Sequence, residues 1–159
     1  MTISNETAVS METVELEPLR KDKKKIFEDI LKYLKNNQRG YIKVPTGWGK
    51  TFLSKHIMKK YYDEGKVVLF LVSRNNPLLS QTYYDRKKKR PLFPNSALLS
   101  SEHKVDRKEL AETLRFFGKE KDKGFVLFAS LQTVLGKQSS EIKNLILELA
   151  DLAIVDEIH

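Results

Sequence analysis

One stretch, Val44-Pro45-Thr46-Gly47-Trp48-Gly49-Lys50-Thr51, limits the architecture more than any other part of the chain. Tyr41 to Val44 before it is short and β-branched, as in a buried strand. After it, Phe52, Leu53, Ile57 and Tyr61 recur at helical spacing up to a stop at Gly65. A tight loop between a strand and a helix is the context in which a glycine-rich segment binds phosphate. The glycines let the backbone close around an anion, and the helix start offers unpaired N–H groups and the positive end of its dipole. Lys50 is placed to reach the β- and γ-phosphates of a nucleotide, and the Thr51 hydroxyl to ligate Mg²⁺. Val44 stands where the full pattern has Gly. The competing reading is a glycine-rich turn with an incidental Lys-Thr; the flanking strand and helix favour the phosphate loop.

The remaining pattern alternates. Ile26, Phe27, Ile30, Leu31 and Leu34 predict a first helix, with lysines on its opposite side, ending near Asn36-Asn37 before a turn at Gly40. Val67 to Val72 is wholly apolar, as in a parallel strand covered on both faces. A short helix is expected over Leu78 to Tyr84, a short strand over Ala97 to Leu99 and a helix over Lys108 to Phe117. A strand over Phe125 to Ala129, a helix over Ile142 to Leu149 and a last strand over Leu152 to Val155 complete the pattern. Strands alternating with helices imply an α/β fold with a parallel sheet and helices on both faces. The 159 residues suit one domain. With no cysteine, disulfides, thiol nucleophiles and Cys-ligated zinc are excluded. The longest apolar run is too short to span a bilayer and no signal peptide is visible, so no membrane partner and a cytoplasmic location are expected.

The last strand runs into Asp156-Glu157-Ile158-His159. An Asp at a strand end can support Mg²⁺ beside the phosphates, and the adjacent Glu can orient the attacking water. Solvated acids at a strand end are the bland alternative, and the phosphate loop tips the balance toward function. Together these residues resemble the superfamily 2 helicases of the DEAD/DEAH-like group. Pro45 to Thr51 is similar to their motif I and Asp156 to His159 to a DExH-type motif II. Leu71-Val72-Ser73-Arg74 with Leu78-Leu79-Ser80-Gln81 resembles motif Ia, and Ala129-Ser130-Leu131-Gln132-Thr133 the strand-end segment that contacts nucleic acid. Within the group, the helicase domain of type III restriction enzymes and related DNA translocases is most similar. Its opening Leu-Arg-Pro-x-Gln is kept here as Leu19-Arg20, with Lys21 and Lys23 in place of the Pro and the adenine-contacting Gln.

The resemblance covers about residues 19–159 and implies a RecA-like P-loop NTPase, the first helicase ATP-binding domain, truncated after motif II. It implies that Thr46, Gly47, Trp48, Gly49, Lys50 and Thr51 hold ATP, and that Thr51 and Asp156 hold Mg²⁺. Glu157 and Lys50 would be catalytic, His159 would couple the site to other parts, and Arg74, Ser130 and Gln132 would contact nucleic acid, DNA in preference to RNA. The family continues with a further motif III strand and a second RecA-like domain carrying an arginine finger. The 159 residues alone are therefore expected to hydrolyse ATP slowly or not at all, and to be marginally stable, because the motif III strand lies between those of motifs I and II. The alternatives are a module that binds ATP or DNA without turnover, another P-loop NTPase such as a kinase, and an inactive fragment of a restriction-type translocase.

Charge agrees with a polyanionic partner. The net charge is +8, but residues 1–18 hold Glu6, Glu12, Glu15 and Glu17 and no base, leaving +12 on the rest. Residues 1–18 read as a flexible acidic tail or a loosely attached strand. Arg86-Lys87-Lys88-Lys89-Arg90 is either a phosphate grip or a solvated loop, and Lys23-Lys24-Lys25 reads as the wet face of the first helix. One tyrosine of each pair, Tyr61-Tyr62 and Tyr83-Tyr84, is expected to pack and the other to be available for stacking. Trp48 either covers the nucleotide or fills surface space, and His56 and His103 receive no role.

Overall fold

The computed structural model describes residues 10, 12–37, 39–40, 49–73, 77–102, 105–120 and 122–156. Among the described residues thirteen elements follow in order, twelve of them helices and strands that take labels here. These are α1 (Lys21–Asn36), α2 (Lys50–Asp63), β1 (Val67–Val72), α3 (Pro77–Tyr83), β2 (Tyr84–Asp85), β3 (Arg90–Pro91) and β4 (Ser96–Leu99). The others are α4 (Arg107–Lys119), β5 (Phe125–Ser130), α5 (Leu131–Val134), α6 (Ser140–Leu149) and β6 (Leu152–Asp156), with a 3₁₀ turn at Lys137–Ser139. The expected strand Tyr41–Val44 lies outside the described residues.

The sheet is parallel, in the order β4-β5-β1-β6. Strands β1 and β5 are buried throughout, which explains the unbroken apolar sequence of β1 and of residues 125–129 in β5. Alternate residues face opposite layers. Val67, Leu69 and Leu71 pack with Leu110, Leu114, Phe117, Ile142 and Ile146 of α4 and α6. Val68, Phe70 and Val72 pack with Met58 and Tyr62 of α2, Leu79 of α3, and Phe93. Helices therefore cover both faces, as the alternation requires. Helix α1 lies outside α2 and buries none of its residues; its apolar stripe meets α2 through Phe27 and His56, whose ring centroids are 6.2 Å apart.

Register at the start of the sheet is fixed by side chains as well as strands. Asp151 accepts from Val67 N at 2.9 Å and donates its own N–H to Val67 O at 2.8 Å, locking β6 to β1. Gly65 ends α2 with φ +77° and donates to Tyr62 O at 3.0 Å. Among the described residues β6 is ladder-paired on its β1 side. A cavity of about 610 Å³ opens between the end of α1, Tyr61 and Asp151 to Ala153.

Gly124 enters β5 directly under the last turn of α2: a Cβ there would lie 2.2 Å from Tyr62 O and 2.7 Å from Tyr62 Cα. Backbone cannot yield as a side chain does, so Gly124→Ala is expected to cost about 1–3 kcal/mol, as overpacking does. Urea denaturation measures it, and a variant as stable as wild type would show that α2 and β5 are not held this close.

Of residues 1–18, read as a flexible tail or a loosely attached strand, the described residues 10 and 12–18 form no strand and are attached to the core. Val14 is buried against the α2/α3 layer, and Leu16 packs beside it. Ser10 N donates to Asn95 Oδ1 at 2.7 Å, and Asn95 Nδ2 returns a bond to Ser10 O at 3.1 Å. Asn95 itself is buried, receives Val126 N on its carbonyl and donates N–H to the Tyr62 hydroxyl. His56 Nε2 donates to Glu17 O at 2.9 Å. Two apolar residues and a few bonds from the strap's backbone to the Asn95 and His56 side chains seat this strap, and neither leaves a periodic trace in sequence.

The basic run forms the turn of a small hairpin. Residues 86–89 join β2 to β3, whose register is Tyr84↔Pro91 and Asp85↔Arg90. Asp85 Oδ1 accepts from Lys87 N and Lys88 N, and Lys89 takes φ +54°.

Candidate functional site

The C-terminal edge of a parallel sheet and the start of a following helix are where α/β proteins hold ligands. Two sequence-predicted positions, Ser130 and Asp156, lie there. In the register, Val72 of β1 faces Ser130 of β5 on one side and Asp156 of β6 on the other, so all three share one row. Gln132 N donates to Ser73 O at 3.4 Å, tying the end of β5 to the end of β1.

Helix α2 begins at this row. Gly49 precedes it with φ +94° and ψ +29°, a left-handed conformation that side-chain-bearing residues seldom adopt. Gly49 O accepts the first helical bond, from Leu53 N at 3.1 Å. The next residue, Lys50, sends Nζ to within 3.3 Å of Asp156 Oδ1, with the lysine half-exposed and the aspartate buried. The two residues are far apart in sequence, on α2 and β6, and meet at the helix N-terminus.

The arrangement fits a magnesium nucleotide. A half-exposed ammonium beside a buried carboxylate, at the positive end of a 14-residue helix, offers charge for phosphate and an anionic oxygen for a cation. Thr51 lies in the first turn of the same helix. Thr46, Gly47, Trp48, Arg74, Glu157 and His159 lie outside the described residues, as do Ile158 and His103.

Two positions read differently from expectation. Ser130, expected to touch nucleic acid, is fully buried. Its hydroxyl caps α5 by accepting from Thr133 N at 3.2 Å and lies 2.6 Å from Thr133 Oγ1. A buried cap cannot present its side chain to a strand; Gln132, two residues on, is exposed. Lys23, expected on the wet face of α1, reaches the start of α2: a Cβ on Gly49 would lie 2.7 Å from Lys23 Nζ. Helical periodicity did not place it there, because periodicity reports which face is polar, not where a long lysine stem ends; the resemblance, which sets Lys23 in place of an adenine-contacting Gln, is the signal that pointed to this neighbourhood.

The other candidates are structural. His56 sits edge-on to Phe52 at 4.8 Å between ring centroids, bridging α1, α2 and the strap. Burial lowers its pKa, opposed by its bond to Glu17 O. Tyr62, not Tyr61, is the packed member of its pair, and burial raises its pKa. Tyr83 stacks edge-on against Phe128 at 5.4 Å, while Tyr84 is exposed. Lys55 lowers its pKa by burial, an effect opposed by Asp85. No helix among the described residues is long and apolar enough to cross a membrane.

The family described as "Type III restriction enzyme, res subunit" matches residues 16–159. The chain belongs to that family. It thereby carries a superfamily 2 helicase-type ATPase domain at the family level. A search of curated proteins finds no match. Among solved structures, the chain is similar to a nuclease-deletion mutant of the Type ISP restriction-modification enzyme LlaGI, solved in complex with a DNA substrate mimic. The TM-score is 0.61 at 20% identity, over 87% of this chain and 15% of the other. The likeness shows the fold, which is RecA-like, and the chain spans a small part of that enzyme's length.

Proposed function

We propose that this chain is the ATP-binding half of a nucleic-acid-dependent ATPase that moves along DNA. The observation that carries the reading is the Lys50 Nζ to Asp156 Oδ1 approach of 3.3 Å at the start of α2. Membership of the restriction-enzyme family supports it, as does the DNA substrate mimic in the LlaGI structure.

In this reading the loop from Thr46 to Thr51 wraps the phosphates, and Lys50 turns from Asp156 toward the β- and γ-phosphates. Thr51 and Asp156 would hold Mg²⁺, which when bound neutralises charge on the phosphate oxygens. Glu157 orients and deprotonates the attacking water. Arg74 and Gln132 contact the nucleic-acid backbone, which gives affinity without sequence preference. A second domain beyond these 159 residues supplies the arginine finger, worth about 10³–10⁵ in rate in related enzymes.

Calorimetry with ATP, with and without Mg²⁺, tests the assignment through Asp156→Asn. Wild type is expected to bind more tightly with Mg²⁺, and the variant to lose about 10–100-fold of that advantage, the usual effect of removing a group that supports a metal. A variant that keeps the full magnesium dependence would remove Asp156 from the site.

A further inference from the structure

The acids of the strap and the cations of the hairpin face each other. Glu12 Oε1 lies 2.8 Å from Arg90 Nη1, and Glu17 Oε1 lies 3.4 Å from Lys87 Nζ. Glu15 and Glu17 also line a cavity of about 470 Å³ with Lys55, Arg86 and Lys87. The strap does not depend on these pairs for its position: buried Val14, the Ser10–Asn95 bonds and the His56–Glu17 bond hold it independently. Both pairs are solvent-exposed, and exposed ion pairs add little to stability. Their carboxylates can therefore leave the cations while the strap stays seated.

The hairpin gathers Arg86, Lys87, Lys88, Lys89 and Arg90 on one turn, with residues 86–89 exposed. Five successive cations repel one another, and an anion relieves that repulsion. The strap supplies carboxylates for two of them and leaves the tip facing solvent. We propose that this hairpin docks the phosphate backbone of a nucleic-acid strand, and that Glu12 and Glu17 occupy it until a strand displaces them. The inference rests on the DNA-translocase reading for the identity of the polyanion. It adds to that reading a contact element outside the strand-end segments and a built-in competitor for it.

Fluorescence anisotropy with a labelled DNA single strand, over a range of salt, tests the proposal in the full chain. Replacing Glu12, Glu15 and Glu17 together by Gln should tighten binding by about 3–10-fold at low salt, since each exposed pair is worth little. A control that replaces Glu102, Glu112 and Glu148 changes net charge equally at exposed sites that belong to neither the strap nor the hairpin; it should shift affinity by less than about twofold. Replacing the five hairpin cations by Gln should lower the slope of log affinity against log salt by up to ~3.5, at ~0.7 per phosphate contact on a single strand. In that background the strap substitutions should give no gain, which is the coupling a double-mutant cycle isolates. If the fivefold variant does not fold, Lys87→Gln with Arg90→Gln removes only the strap's partners and reads the same coupling.

Equal gains from strap and control substitutions would overturn the proposal. So would a strap gain that survives loss of the hairpin cations, or no strand binding at the lowest salt. Mg-ATP binding, measured alongside, separates the two readings. A chain that binds Mg-ATP without strap dependence keeps the translocase reading and loses the latch, and strap-dependent strand binding without Mg-ATP binding does the reverse.

Discussion

Lys50→Ala is expected to abolish measurable Mg-ATP binding. The ammonium lies 3.3 Å from Asp156 Oδ1 and at the first residue of α2, where a nucleotide's phosphates would meet the helix dipole. Truncating one member of a hydrogen-bonded charge pair costs about 2–5 kcal/mol or more in binding, roughly a 30- to 4,000-fold loss. The buried Asp156 would also be left near the phosphates without the Lys50 charge that screens it. Calorimetry on wild type and variant, with thermal melts to show that both fold, makes the comparison. Equal affinities would sink the assignment of this loop as a nucleotide site.

The second large effect belongs to the core. Phe128 of β5 is wholly buried and touches three aromatic rings: Phe70 at 5.7 Å, Tyr83 at 5.4 Å and Phe93 at 6.2 Å between centroids. It joins the central sheet to α3 and to the segment after the hairpin. Phe128→Ala should therefore cost about 3–5 kcal/mol, from lost transfer energy and the cavity left behind. Whole domains are stable by only about 5–15 kcal/mol, so the variant should be partly or wholly unfolded at room temperature if wild type lies near the low end. Phe128→Leu, closer in volume, should cost less. Urea midpoints give the numbers, and a loss below about 1 kcal/mol for the alanine variant would mean that the aromatic cluster is not the keystone of this layer.

What could be read in advance follows from how each feature is encoded. Strands β1 and β5 are legible because burial on both faces demands an unbroken apolar run, and Val67–Val72 and residues 125–129 meet that demand. Helices α1 and α4 are legible because their apolar residues recur with the helical period, and Asp106 marks the start of α4 by accepting from Lys108 N and Glu109 N. Lys50 and Asp156 are each legible by residue type, at a loop and at a strand end, but that the two side chains meet is visible only in the structure, because nothing in the spacing of α2 and β6 states it. The two-residue strands β2 and β3 are too short to show any period. Asn95 gave no signal, because its importance lies in bonds to Ser10, Tyr62 and Val126, none of them near it in sequence. Ser130 misled because a serine at a strand end serves equally well as a surface contact or as the cap of a short helix, and burial decided between them.

The strap also sets an order of events during synthesis. Ser10 is bonded to a residue 85 positions later in the chain, so the strap cannot fasten until Asn95 has been made. At about 5–20 residues per second that wait is about 4–17 s. Throughout it Val14 has no core to enter, and Glu12 and Glu17 have no hairpin to face. The wait for the meeting of Lys50 and Asp156 is longer still, since Asp156 closes the last strand. The strap is thus a passenger during translation, seated only once the layer beneath it exists.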